Sequence, residues 1–260
     1  MAIGVFDSGL GGLSVLRHLQ RELSDESFLY VADSAHAPYG DKAELYIQQR
    51  CLLIADFLSE QEVSAIVVAC NTATAAAVAM IRERLDIPVI AIEPALKPAA
   101  LSTKTGCIGV LATASTLQSK QYKNLQQKFS DDIEYFEQAA HGLVELVEAG
   151  LINDEKTHQL LEQYLQPMLK QGVDTIVLGC THYPFLQPLI EYIVADAAVV
   201  IDTGAAIAEQ LKKVLSEHQL SAHSEKANQD RYFSSSDTVY SQKMIERLLQ
   251  KRVNVEKLPV

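Results

Sequence analysis

No stretch of the chain is apolar for the length of a membrane span, and no basic segment precedes an apolar one near its start. Neither a membrane protein nor a signal peptide is expected, so the expected location is the cytoplasm. Basic residues are in deficit: 22 Lys and Arg face 33 Asp and Glu, a formal net charge of −11. Such a chain suits neither a nucleic-acid backbone nor an anionic membrane surface as partner. Cysteine is scarce, with only Cys51, Cys70, Cys107 and Cys180, and no C-x-x-C pair. Without an export signal these read as reduced thiols, not a disulfide framework. No close Cys/His pair with ligand spacing recurs, so no zinc site is expected. There is no Walker loop, and Gly9-Leu10-Gly11-Gly12 lacks the full dinucleotide fingerprint. No lysine sits in a recognisable pyridoxal context. The expectation is an enzyme or binding protein without cofactor or metal.

What remains is an ordinary globular balance, 48% hydrophobic and 21% charged over 260 residues, enough for one large domain or two small ones. Short Val/Ile-rich runs alternate with helical patterns, which predicts an α/β fold with mostly parallel sheets. Ile3 to Phe6 reads as a strand running into the small-residue turn Asp7-Ser8-Gly9, and Leu13, Leu16, Leu19 and Leu23 follow at helical spacing. Phe28 to Ala32 is a second strand. Tyr46, Ile47, Arg50, Leu53, Ile54, Phe57 and Leu58 trace the expected inner stripe of a long helix, with Arg50 its one polar member. Ala65 to Ala69 is a strand that ends at Cys70, and Ala75-Ala76-Ala77 lies inside the next helix, with Asn71 or Thr72 as the expected cap. Later strands are read at 87–92, 107–112, 133–136, 174–179, 198–201, near 232–233 and at 253–258. The segment from Ser221 to Asp230 is polar and reads as a loop or linker.

The chain repeats itself. Val63-Ser64-Ala65-Ile66-Val67-Val68-Ala69-Cys70 lies over Val173-Asp174-Thr175-Ile176-Val177-Leu178-Gly179-Cys180, a displacement of about 110 residues. Ile3-Gly4-Val5 lies over Ile108-Gly109-Val110, and Val89-Ile90 over Val199-Val200. The period is too long for a solenoid unit. It fits two similar α/β domains related by a pseudo-two-fold axis. Buried parallel strands are all Val/Ile-rich, which accounts for the valines. It does not account for a cysteine at the same end of the same strand in both halves.

A strand's carboxyl end is where open α/β sheets bind ligands, and a helix N-terminus there lowers a thiol's pKa. Paired across a cleft, Cys70 and Cys180 suit inversion of a carbon stereocentre. One thiolate takes the α-proton from one face and the opposite thiol delivers a proton to the other. Ser8, Asn71, Thr72 and Thr181 suit the carboxylates of an amino acid, and Asp7 an ammonium or a supporting role. Three alternatives stay open. A cysteine hydrolase would use Cys180 with His182, a binding protein would close on an amino acid without needing thiols, and a third reading leaves the cysteines buried and inert.

Five stretches in order carry a family resemblance: Gly4-Val5-Phe6-Asp7-Ser8-Gly9-Leu10-Gly11-Gly12, Pro38-Tyr39-Gly40, Ala69-Cys70-Asn71-Thr72-Ala73-Thr74, Gly179-Cys180-Thr181-His182-Tyr183-Pro184 and Ile201-Asp202-Thr203-Gly204. In these the chain resembles the glutamate racemases, cofactor-independent isomerases that supply D-glutamate for peptidoglycan. The resemblance implies Cys70 as acid/base on the D-glutamate face and Cys180 on the L-glutamate face, with Asp7, His182 and Glu148 assisting. It implies substrate contacts from Asp7, Ser8, Pro38, Tyr39, Gly40, Asn71, Thr72, Thr181 and His182. It implies two α/β domains, taken here as 1–97 with 205–260 and as 98–204, with the active site in the cleft between them, and a homodimer. Some members of the family need a peptidoglycan precursor as activator and tend to carry an N-terminal extension. A chain that starts on its first strand is expected to do without that regulation. The main rival within the class is an aspartate racemase, in which Glu tends to replace the residue at His182.

Overall fold

A computed structural model describes residues 1–220 and 230–260. Of the expected loop from Ser221 to Asp230, all but Asp230 lies outside the described residues. The chain forms two compact units, Met1–Ile92 with Gly204–Val260, and Glu93–Thr203.

In chain order the first unit opens with β1 (Ile3–Asp7), α1 (Leu13–Glu22), β2 (Phe28–Ala32), α2 (Glu44–Glu60), β3 (Ala65–Val68), α3 (Asn71–Arg84) and β4 (Val89–Ala91). The second unit contains α4 (Leu96–Ser102), β5 (Cys107–Ala112), α5 (Ala114–Gln118), α6 (Lys120–Lys128) and β6 (Glu134–Ala139). It continues with α7 (Leu143–Glu148), α8 (Glu155–Lys170), β7 (Thr175–Gly179), α9 (Gln187–Val194) and β8 (Val199–Ile201). The chain then completes the first unit with α10 (Gly204–Glu217), β9 (Arg231–Ser234), α11 (Thr238–Leu249) and β10 (Val255–Lys257).

The first sheet has the order β10-β9-β2-β1-β3-β4 and the second β6-β5-β7-β8. Every strand pairing among the described residues is parallel. Strands covered by helices on both faces have no solvent side, so they read as continuous Val/Ile runs without polar alternation. Each residue of β1, β2, β3 and β7 is buried accordingly. In the second unit the two faces are distinct. Ile108, Val110, Ala112 and Val177 pack with Leu96, Ala99 and Tyr122 on one side. Leu111, Ile176 and Leu178 pack with Leu143, Leu161, Leu165 and Ile190 on the other.

The sequence repeat is a repeat of topology. The order β2-β1-β3-β4 recurs as β6-β5-β7-β8, and the register of the central pair recurs with it. Ile3 sits opposite Ala65 as Ile108 sits opposite Thr175, whereas Ile66 sits opposite Val89 and Ile176 opposite Val200, a shift of one residue at the outer strand. The first sheet differs in running on past β2 to β9 and β10.

Helix α2 departs from the expected stripe. Leu53 and Tyr46 are exposed, while Cys51 and Ala55 join Ile47, Arg50, Ile54, Phe57 and Leu58 inside. The helix packs on both the sheet and α3, so its buried face spans two adjacent rows, and the added row is filled by small residues. Gln48 Nε2 donates to the Ala76 carbonyl oxygen across that contact, at 3.0 Å. Among the described residues no helix is long and apolar enough to cross a membrane.

Candidate active site

In the first unit the sequence-predicted residues gather at the carboxyl ends of β1, β2 and β3. Asp7 closes β1, and its buried carboxylate accepts the Gly9 and Gly12 N–H groups at 3.2 and 3.0 Å. The turn is tight at Gly12. A Cβ there would lie 2.6 Å from the Asp7 Cβ and 3.0 Å from the Tyr30 hydroxyl oxygen. Tyr30 in turn donates to the Gly9 carbonyl oxygen at 2.7 Å, which pins the Ser8-Gly9 backbone.

Beyond β3 the backbone stays extended through Cys70, with φ −136° and ψ 121°, and then enters α3. An extended residue before the first helical one is the N-cap, so the cap is Cys70. Asn71 and Thr72, the expected caps, are the first helical residues instead. The Cys70 Sγ fills the acceptor role of a capping side chain, taking the Ala73 N–H at 3.4 Å. The thiol itself donates to Ser8 Oγ at 3.6 Å. Sulfur at the N-terminus of α3 meets aligned N–H groups and the positive end of the helix dipole, both of which favour thiolate. Beside it the Asn71 side chain is buried, and neither its Nδ2 nor its Oδ1 has a hydrogen-bond partner among the described residues. A buried amide without partners is costly, and a polar ligand would satisfy it. Thr72 is buried next to it.

The Pro38-Tyr39-Gly40 segment follows a cis Ala37–Pro38 peptide and forms a single 3-10 turn at Tyr39–Asp41. The buried Tyr39 hydroxyl donates to Asp33 Oδ2 at 2.6 Å. Arg50 grips the same carboxylate with two prongs, Nε to Oδ2 at 3.0 Å and Nη2 to Oδ1 at 2.8 Å. Burial pushes the Tyr39 phenol far up, and the negative charge on Cys51 and Asp33 adds to the shift. Sequence reasoning missed Asp33 and the purpose of Arg50. The signal was present, since a charged residue in an apolar helix stripe needs a buried partner.

In the second unit Cys180 follows β7. Gly179 lets that strand close on β5, since a Cβ would lie 2.9 Å from the Ala112 Cβ. The Cys180 Sγ is 3.8 Å from His182 Nδ1, and His182 Nε2 is 2.7 Å from Glu148 Oε1 at the end of α7. Glu148 is therefore joined to the cysteine through the imidazole. Burial opposes a charge on His182. Hydrogen bonds to Cys180 and Glu148 and attraction to their negative charges outweigh it, and the imidazole pKa stands well above its usual 6.5. A carboxylate on Nε2 fixes the ring so that Nδ1 faces the sulfur. Thr181 is buried between the two. Tyr183 donates to the Ala140 carbonyl oxygen at 3.0 Å and ties this turn to the start of α7. Among the described residues no group of three or more His, Cys, Asp or Glu side chains is arranged to hold a metal ion.

Each unit thus carries a cysteine at the same strand end, supported by polar neighbours of its own. The model of the Asp/Glu/Hydantoin racemase family matches residues 3–211. The chain belongs to that family. A glutamate racemase from Ectopseudomonas mendocina is 49% identical over 97% of this chain and 96% of its own length. A glutamate racemase isoform from Bacillus anthracis superposes with a TM-score of 0.91 at 33% identity, covering 100% of this chain and 97% of the other. The Escherichia coli glutamate racemase, in complex with L-glutamate and the activator UDP-MurNAc-Ala, superposes with a TM-score of 0.88 at 32% identity, covering 99% and 98%. The racemase is an isomerase of the glutamate racemase type, with the two-sheet α/β fold of these relatives.

Proposed function

We propose that the racemase interconverts L- and D-glutamate with Cys70 and Cys180 as its two bases, without a cofactor, on opposite faces of one substrate. The observation that carries the reading is the register match. The topology of β1 and β3 that leads to Cys70 recurs in β5 and β7 leading to Cys180, and each sulfur has local groups that favour thiolate. Opposition of the two units about a pseudo-two-fold axis is part of the proposal.

In the L-to-D direction the Cys180 thiolate takes the α-proton, with the Glu148–His182 pair stabilising the charge it starts from. The electron pair left on the α-carbon delocalises into the carboxylate, and the Cys70 thiol delivers its proton to the other face. The thiolate is then on Cys70, where the Ala73 N–H and the start of α3 hold it, and the thiol is on Cys180. The reverse reaction exchanges the roles, with Asp7 assisting Cys70. Asn71, Thr72, Thr181, Ser8, His182 and the Pro38-Tyr39-Gly40 backbone bind the substrate, and the partnerless Asn71 amide supports that assignment. The product would serve peptidoglycan synthesis in the cytoplasm, and the active form would be a homodimer.

The test is substitution of each cysteine by serine. A general acid or base contributes about 10²–10⁴ in rate, so Cys70→Ser and Cys180→Ser should each lose at least about 100-fold in racemisation followed by circular dichroism. Turnover in D2O should place deuterium at the α-carbon of the product. Racemisation largely intact in Cys70→Ser would favour a hydrolase-like use of Cys180 alone and defeat the two-base reading.

A further inference from the structure

The first unit holds a buried ion pair that the two-base chemistry does not use. The Asp33 side chain is fully buried, and the Arg50 side chain is about a tenth exposed, at 10%. Removing two charges from water is expensive, and apolar residues of similar volume often stabilise a fold as well or better. The pair therefore calls for a purpose beyond packing. Its contacts supply one. Asp33 is held by the guanidinium fork of Arg50 and receives the Tyr39 hydroxyl. Its own N–H donates to the Asp7 carbonyl oxygen at 3.0 Å. Asp33 thus joins α2 and the Tyr39 turn through its carboxylate and the end of β1 through its main chain. The Tyr39 ring shares a buried cluster with Cys70 and Ala73, and Arg50 Nη2 also reaches the Val260 main-chain oxygen at 3.3 Å.

We propose that Arg50, acting through the Asp33 carboxylate, is a positioning residue that fixes the Tyr39-Gly40 backbone where the substrate meets it. Tyr39 sits on a short turn, its ring lies in the buried cluster, and the hydrogen bond at its hydroxyl sets where the ring stands there. Arg50 fixes the acceptor of that bond in two dimensions, which a single point charge does not. This proposal rests on the reading that the Tyr39-Gly40 segment contacts glutamate.

The experiment compares the parent chain, Arg50→Lys and Tyr39→Phe with both enantiomers of glutamate. Arg50→Lys keeps the charge that compensates Asp33 and loses the two-pronged geometry. Tyr39→Phe keeps the ion pair and loses only the hydroxyl. A misplacement of about 1 Å can cost about a hundredfold, and the loss here falls on binding, so KM for both enantiomers should rise at least about tenfold in each variant, with kcat changing less. The two enantiomers have equal free energy, so kcat/KM must fall by the same factor in both directions. A folded Arg50→Lys with the parent's KM overturns the proposal. So does a loss confined to kcat that tracks the folded fraction measured by thermal unfolding. If Arg50→Lys does not fold, an unchanged KM in Tyr39→Phe overturns it. A parent chain that does not racemise glutamate defeats the underlying reading instead, and the proposal with it.

Discussion

Replacing Glu148 by glutamine tests the second unit's side-chain relay most directly. The substitution keeps the shape of the side chain and removes its charge from a contact 2.7 Å from His182 Nε2. At an effective dielectric near 20, a charge pair at that separation attracts by about 6 kcal/mol. Burial of the imidazole opposes its charged form and offsets much of that attraction. Hydrogen bonds to charged groups retain a net 1.5–3 kcal/mol, roughly, which corresponds to about 1–2 pH units of imidazole pKa. The His182 pKa should therefore fall by about that amount in Glu148→Gln. Histidine labelled at Cε1 reports the titration by NMR, with His182→Asn to assign the resonance. The alkaline limb of the L-to-D rate should move down with it, because the Cys180 thiolate loses its imidazolium partner. Stability follows the same linkage. The folded pKa lies above the unfolded one, so the pair stabilises the fold fully below about pH 6.5 and the effect fades as pH rises through the folded value. In Glu148→Gln that pH dependence should weaken, because only the Cys180 contact is left to raise the imidazole pKa. A His182 titration that stays within about 0.3 unit of the parent, or moves upward, refutes the argument, because that is under half a kcal/mol.

Two further predictions concern the Asp7 turn and the start of β7. Gly12→Ala forces a Cβ to within 2.6 Å of the Asp7 Cβ. It should cost about 1–3 kcal/mol in urea unfolding and lower kcat/KM by displacing Asp7, and a variant matching the parent in both would show that the turn yields freely. Burial would raise the Asp174 carboxyl pKa, but bonds from the Thr103 hydroxyl and the Lys104 and Thr105 N–H groups win and hold it down at about 2. The residue is partly exposed, so after screening the tie is worth about 1 kcal/mol. This contribution is present above the usual carboxylate range and lost as pH falls toward 2. The stability gap between the parent and Asp174→Asn should therefore shrink from pH 6 to pH 3, and a gap that widens would contradict the assignment.

The fold was readable from the chain because its strands are buried on both faces. The repeated Val/Ile runs carried the strand positions, and in the central pair the register too, with Ile3 opposite Ala65 as Ile108 is opposite Thr175. The helices were less legible for physical reasons. α6 buries only Tyr122, so it offers no apolar stripe. α4 and α9 are too short for a periodic pattern to emerge, though α9 opens with the Gln187-Pro188 pair that suits a first turn. In α2 the stripe was read one row too narrow, since Cys51 and Ala55 are too small to stand out as core. The Cys70 cap escaped notice because sulfur is not among the usual capping atoms, and its capping bond forms only where the backbone stays extended past the strand end. The link between Arg50 and Asp33 joins two elements through space, and sequence spacing does not show such a contact.

The position of β9 and β10 in the first sheet bears on synthesis at the ribosome. The second unit is continuous and has all its residues by Thr203, whereas the strand that covers the outer edge of β2 begins at Arg231. Chains elongate from the N-terminus and domains fold as units. The second unit therefore finishes first, while β2 still presents an unpaired parallel edge. Such an edge pairs readily with other chains. Truncation before Arg231 would leave it open permanently, so the last thirty or so residues act as a seal on the half-built sheet, and chains stalled short of them are the ones most prone to aggregate.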